Sequence, residues 1–302
     1  MKYQDIITQI DNKFFQPVYF LMGEETFYID KISNYISKKV LSKEEKEFNQ
    51  TTLYGKDIDV ATIVSEAKQF PFGSTYRVVI VKEAQDIRSI DKLDSYLDNP
   101  SPSTILVICY KYKKVDKRKS FWKNLSKKAI LFEGKKLYDN QVPSWIKDFV
   151  KENGFSIDDK SCRILSEYLG NDLSKISNEI SKLILNLNKG ASINPTIIEK
   201  NIGISKDYNI FELQNALGVK DILKSNRIIK HFSENPKNHP FVLTISSLFS
   251  YFQKVMIYQN LKDKSKNNAA SSLGVNPFFI SDYQTAARNY SMSKLFKIFT
   301  YL

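Results

Sequence analysis

Three continuous apolar runs in the first third of the chain set the strongest constraint on its fold. They are Val18-Tyr19-Phe20-Leu21-Met22, Arg77-Val78-Val79-Ile80-Val81 and Thr104-Ile105-Leu106-Val107-Ile108-Cys109. A strand wetted on one face alternates apolar with polar residues, whereas an unbroken β-branched run needs cover on both faces. Residues 48–54 and 129–132 are weaker strand candidates. Helical stretches over 27–40, 60–70, 90–97 and 118–128 separate them. Strands alternating with helices predict an open parallel α/β sheet with right-handed crossovers, ending near residue 140.

Beyond that point the pattern changes to helix after helix. Residues 142–152 run up to Asn153-Gly154, a helix stop, and Ser156 or Asp158 then caps a helix over 160–169. Asn171 or Asp172 starts the next, with Leu173, Ile176, Ile180, Leu183 and Leu187 on one face. Asn194-Pro195 opens a short helix through Ile202. Further helices are expected over 210–217, 221–232, 241–261, 278–287 and 293–302, with a polar, mobile break over 263–268. The expected domains are therefore 1–140, 141–207 and 208–302.

No export signal is legible at Met1-Lys2-Tyr3-Gln4-Asp5, and the apolar stretch 241–257 carries Thr244, Ser246, Ser247, Ser250, Gln253 and Lys254. It reads as a buried helix. The 302 residues carry 45 basic and 33 acidic side chains, a net +12, yet only Arg77, Arg88, Arg118, Arg163, Arg227 and Arg288 are arginine. A lysine-heavy surplus favours phosphate contact over base reading, if it binds nucleic acid at all. It is densest over 111–136, with eleven basic residues against Asp116 and Glu133. Phe121, Trp122 and Leu125 would form the buried side of that stretch. Two cysteines, Cys109 and Cys162, exclude a disulfide framework and point to a reducing, cytoplasmic compartment.

A search for catalytic chemistry turns up little. His231 and His239 have no Cys or carboxylate at metal-ligand spacing and read as surface or helix-end residues; Cys109 reads as core. After the first strand, where a phosphate loop needs G-x-x-x-x-G-K-[ST], stands Gly23-Glu24-Glu25-Thr26-Phe27-Tyr28-Ile29-Asp30. Tyr28, Ile29 and Asp30 replace its second glycine, lysine and hydroxyl residue. Where a magnesium-holding acidic pair would follow the second run stands Lys82-Glu83-Ala84, with Glu83 read as a lone, solvated loop residue. No cofactor and no metal are expected.

The opening Val18-Tyr19-Phe20-Leu21-Met22-Gly23-Glu24-Glu25 resembles the start of the delta-subunit family of the bacterial DNA polymerase III clamp loader. So does Phe70-Pro71-Phe72-Gly73-Ser74-Thr75-Tyr76-Arg77 running into its strand. Leu169-Gly170-Asn171-Asp172-Leu173-Ser174-Lys175-Ile176, followed by Glu179-Ile180-Ser181-Lys182-Leu183, is similar to the family's lid signature. The resemblance implies an AAA+-like α/β domain with a degenerate nucleotide site, an all-α lid and an all-α collar that assembles with other loader subunits. It implies a non-catalytic subunit of the DNA-directed DNA polymerase (nucleotidyltransferase) holoenzyme. Such a subunit binds the ring-shaped sliding clamp and opens it for loading on primed DNA, while partner subunits hydrolyse ATP. One departure is that the chain stops at Phe299-Thr300-Tyr301-Leu302, where family members usually continue, so the collar is expected to be incomplete there.

The same resemblance places the clamp-binding wedge at Pro71 and Phe72. Pro71 biases Phe70 away from helical geometry, so a helix should stop there, with Phe72 exposed beyond it and Phe70 packed with Ile63 and Ala67. Lys113, Lys114 and Lys117 are candidates for DNA-phosphate contact, against the plainer reading of a solvated helix face. An active nucleotide-dependent AAA+ or helicase-related motor is the competing reading, and a nucleic-acid-binding module is a third.

Overall fold

The computed structural model describes residues 1–113, 118, 120–188, 190–203 and 207–302. They form two compact units, Met1–Lys136 and Leu137–Leu302.

In the first unit, strands β1 (Val18–Gly23), β2 (Gln50–Tyr54), β3 (Arg77–Lys82), β4 (Thr104–Lys111) and β5 (Ile130–Gly134) form one parallel sheet in the order β2-β3-β4-β1-β5. Alternate side chains of the three apolar runs enter two separate cores. Val18, Phe20, Met22, Val79, Val81, Leu106 and Ile108 lie on one face, with Ile63 and Ala67 of one helix and Phe121 and Leu125 of another. Tyr19, Leu21, Val78, Ile80, Ile105, Val107 and Cys109 lie on the other, with Ile6, Ile10, Ile29, Ile32 and Ile36. Covering both faces is why the runs carry no polar alternation.

The helices of this unit are α1 (Tyr3–Asp11), α2 (Thr26–Lys39), α3 (Lys43–Asn49), α4 (Val60–Ala67), α5 (Asp94–Asp98) and α6 (Ser120–Lys128). Sequence patterning does not anticipate α1 or α3. The signal for α3 is a capping box in which Ser42 accepts from Glu45 N–H while Glu45 accepts from Ser42 N–H. That helix takes Phe48, the first residue of the expected second strand, out of the sheet.

The second unit runs through α7 (Val142–Glu152), β6 (Ser156–Ile157), α8 (Asp159–Leu169), α9 (Leu173–Leu185), β7 (Ser192–Ile193) and α10 (Pro195–Ile202). It continues with α11 (Ile210–Gly218), α12 (Ile222–Glu234), α13 (Phe241–Asn260), α14 (Lys266–Leu273), α15 (Ile280–Asn289) and α16 (Met292–Tyr301). Asp158, Asp172, Asn194, Asn209 and Asp221 each accept a hydrogen bond from the backbone N–H three residues on, which fixes five helix starts. Three features depart from expectation. The segment 141–207, expected to be all-α, contains a two-residue parallel pairing of β6 with β7. The break expected over 263–268 is shorter, because Ser265 and Asn268 bond to Asp263 and α14 begins at Lys266. The apolar α13 is long enough to cross a membrane by length and composition; it is not the buried helix expected, because Phe241, Val242 and Leu243 are exposed while Leu248, Tyr251, Phe252, Val255 and Tyr258 pack on its neighbours.

Candidate functional site

Helix α4 stops at Ala67, capped by Lys68 N–H bonded to Val64 O, so the chain leaves the helix before it reaches the proline. Phe70 is 87% and Phe72 75% exposed, with Pro71 half-buried between them. The expected packing of Phe70 beside Ile63 and Ala67 is corrected by this early stop. Three residues past the last helical position, Phe70 no longer shares their face.

Phe72 has an aromatic neighbour that sequence reading missed. Phe48, at the end of α3 and 64% exposed, has its ring centroid 5.8 Å from that of Phe72. Beneath them lies a polar scaffold. Asn49, with no exposed surface, accepts from Phe72 N–H (2.6 Å) and donates from Nδ2 to Phe72 O (2.9 Å) and Glu45 O (3.1 Å). One side-chain amide thus satisfies both backbone groups of Phe72, as a neighbouring strand would.

Arg77, the buried first residue of β3, completes the support. Its Nη2 donates to Glu66 Oε2 (2.6 Å) and Thr51 Oγ1 (3.0 Å), its Nε to Glu66 O (3.2 Å) and its Nη1 to Phe48 O (3.4 Å). The planar fork therefore ties the ends of α3 and α4 to the sheet, a geometry that a lysine point charge cannot reproduce. The result is an apolar, solvent-facing aromatic pair on a fixed backbone. Large exposed aromatics held rigidly suit insertion into a pocket on another protein.

The β1–α2 turn, where a nucleotide phosphate would sit, is filled by the chain itself. Gly23 has φ +128°, and a Cβ there would lie 2.2 Å from Gly134 O. Glu25 N–H donates to Gly134 O, and the buried Glu25 carboxylate accepts from Phe27 N–H (3.0 Å). A carboxylate therefore occupies the positive end of the α2 dipole that would otherwise attract phosphate.

Glu83 is not the lone solvated residue expected. Lys111 Nζ lies 3.2 Å from Glu83 Oε1 and 2.9 Å from Asp30 Oδ1, and Gln85 donates to Glu83. Burial alone would lower the Lys111 pKa, but Asp30 and Glu83 outweigh it and raise it. Gln85 first, and then Lys111, hold Glu83 below its ordinary value of 4.5. A depressed carboxylate contributes stability above its unfolded pKa and loses it as pH falls through the folded one. Lys111→Met is expected to flatten the fall in melting temperature below pH 4.5. An unchanged acid limb would dismiss this pair as a source of stability.

Of the possible phosphate-contacting lysines, Lys113 is exposed, with Nζ 3.4 Å from Gln85 O, while Lys114 and Lys117 lie outside the described residues. On α6, Phe121 and Leu125 are buried and Lys123, Lys127 and Lys128 exposed, the arrangement of a solvated helix face. Cys109 and Cys162 are buried, and burial pushes both thiols up to about 12. His231 closes α12 and stacks on Tyr208, while His239 stacks on Phe232 at 4.0 Å.

Residues 19–135 match the family model described as DNA polymerase III, delta subunit. A curated relative, DNA polymerase III subunit delta of Bacillus subtilis, is 26% identical over 92% of this chain and 83% of its own length. A probable DNA polymerase III subunit delta of Aquifex aeolicus is 21% identical over 85% and 77% respectively. The solved Bacillus subtilis DNA clamp loader delta protein shares the fold at a TM-score of 0.58 and 24% identity, covering 98% of this chain and 90% of that one.

Proposed function

We propose that this chain is a delta-type subunit of the DNA polymerase III clamp loader, like the proteins it is similar to, and that its aromatic tip grips the sliding clamp and opens it at one interface for loading on primed DNA. The observation that carries the reading is the pairing of exposed Phe72 and Phe48 over the buried Asn49–Arg77 scaffold. Phe70 and Pro71 flank that pair and belong to the same surface. In this reading the chain acts in the cytoplasm, and the helices of 141–207 and 208–302 serve as lid and collar, the collar joining the other loader subunits.

Energy for the cycle comes from nucleotide on partner subunits in this reading, which the Glu25-filled turn supports. The isolated chain is therefore expected to bind the clamp in the absence of nucleotide and to show no micromolar affinity for ATP with magnesium. Surface plasmon resonance on immobilised clamp and isothermal titration with ATP measure the two. Clamp binding that requires ATP, or tight ATP binding at Gly23–Asp30, would return the chain to the motor class.

We place a sequence-independent contact with DNA at Lys113, Lys114 and Lys117. Each phosphate contact contributes about 0.9 to the slope of log affinity against log salt. Reversing all three to Glu is expected to weaken DNA binding by the assembled loader and to flatten that slope by about 2–3. An unchanged slope would leave these lysines as a solvated face.

A further inference from the structure

The helical unit holds a cavity of about 380 Å³, lined from α7, α8, α11, α13 and α15. This is within the range of small-molecule sites. Arg163 lines it and is only 7% exposed. Its guanidinium lies 4.0 and 4.4 Å from the ring centroids of Phe211 and Phe279. Nε donates to Glu167 Oε1 (2.9 Å) and Nη2 to Gln214 Oε1 (3.2 Å), but Nη1 is buried without a hydrogen-bond partner. A guanidinium cannot shed its charge, so an unused buried arm costs free energy in the empty cavity.

Two further groups on the lining lack partners. The Tyr251 hydroxyl is buried and unpaired, but it sits against Gly218, which does not line the cavity. Lys254 makes no ion pair among the described residues, and burial, then the charge of Arg163, lowers its pKa. Two carboxylates, Glu167 and Asp139, share the lining, and each is already hydrogen-bonded. Glu167 is bonded to Arg163 Nε and Asp139 to Asn171, while burial raises the Asp282 pKa toward the neutral acid. Arg163 Nη1 and the Lys254 ammonium are thus left around one small space, beside carboxylates that are already engaged. A neutral acceptor would satisfy Nη1 but would leave Lys254 without an ion pair.

We propose that this cavity binds the oxyanion of a small molecule, a carboxylate or a phosphate, between Arg163 and Lys254. One oxyanion offers several acceptor lone pairs and a compensating charge, and charge-assisted bonds of this kind are the strong ones. The site lies in the helical unit and makes no use of the aromatic tip or the β1–α2 turn.

The test is isothermal titration of the 302-residue chain with inorganic phosphate and, separately, with citrate, against sodium chloride at matched ionic strength. Binding of either at millimolar affinity or tighter is expected, and the two arms tell a phosphate site from a carboxylate site. Lys254→Met should weaken it about ten- to a hundredfold, the worth of one charged hydrogen bond, while Lys254→Arg should retain most of it. Because Arg163 packs between aromatic rings and its variants could misfold, the Lys254 pair carries the test. No heat beyond the chloride control up to about 10 mM of either anion, roughly tenfold above a dissociation constant of about 1 mM, overturns the proposal. So does equal affinity in Lys254→Met, which would mean the anion sits elsewhere.

Discussion

Phe72→Ala is expected to lower affinity for the sliding clamp by roughly 30- to 1,000-fold, the range of an aromatic hot spot truncated at about 2–4 kcal/mol. Thermal stability should hardly change. The ring is mostly exposed, and the bonds to Asn49 come from the Phe72 backbone, which the substitution leaves in place. Phe48→Ala should lose less affinity, since its ring supports that of Phe72 from one side. Phe70→Ala should leave stability intact, as its 87% exposure leaves no core contact to lose. Surface plasmon resonance and thermal melts on the three variants separate these effects. Parent-like clamp binding by Phe72→Ala, or its unfolding, would remove the tip from the binding surface.

Asn49→Ala should combine both kinds of loss. The amide has no exposed surface and makes three hydrogen bonds, two of them to Phe72. Removing it opens a small void and orphans Phe72 N–H and O, for an expected destabilisation of about 2–4 kcal/mol. Clamp affinity should fall although every aromatic ring remains, because a rigid anchor gives up less freedom on binding than a loose one. Denaturant melts and clamp titrations on this one variant test the claim. Unchanged stability, or lowered stability with parent-like clamp affinity, would show that Asn49 does not hold the tip.

Some of this architecture was legible because it is written locally. The three apolar strands could be read from their unbroken apolar stretches, since burial on both faces leaves no polar alternation within them. The helix starts at Asp158 and Asp172, each read as one of two neighbouring candidates, and at Asn194 follow from side chains that reach only three residues ahead. The missing phosphate loop is likewise a statement about adjacent residues. Helix α3 carried a readable capping box at Ser42 and Glu45, but its seven residues fall short of an apolar repeat. Helix α14 offered only Ala269, Ala270 and Leu273 as buried positions, so a polar composition hid it.

What the sequence by itself determined, then, was the order and type of most elements, with α1, α3, α14 and the β6–β7 pairing excepted, and the absence of a phosphate-loop motif, since both depend on neighbours along the chain. Tertiary structure alone decided which polar side chains meet. Asn49 reaches Phe72 across 23 positions, Arg77 reaches Phe48 across 29, and Lys111 reaches Glu83 across 28. No periodicity encodes such pairs, because parallel strands bring distant segments side by side only after their crossovers are made. The exposure of Phe70 was settled in the same way, by a helix that ended three residues sooner than its apolar face suggested. An aromatic residue becomes a docking surface when the fold leaves no core within its reach, and that depends on packing throughout the unit.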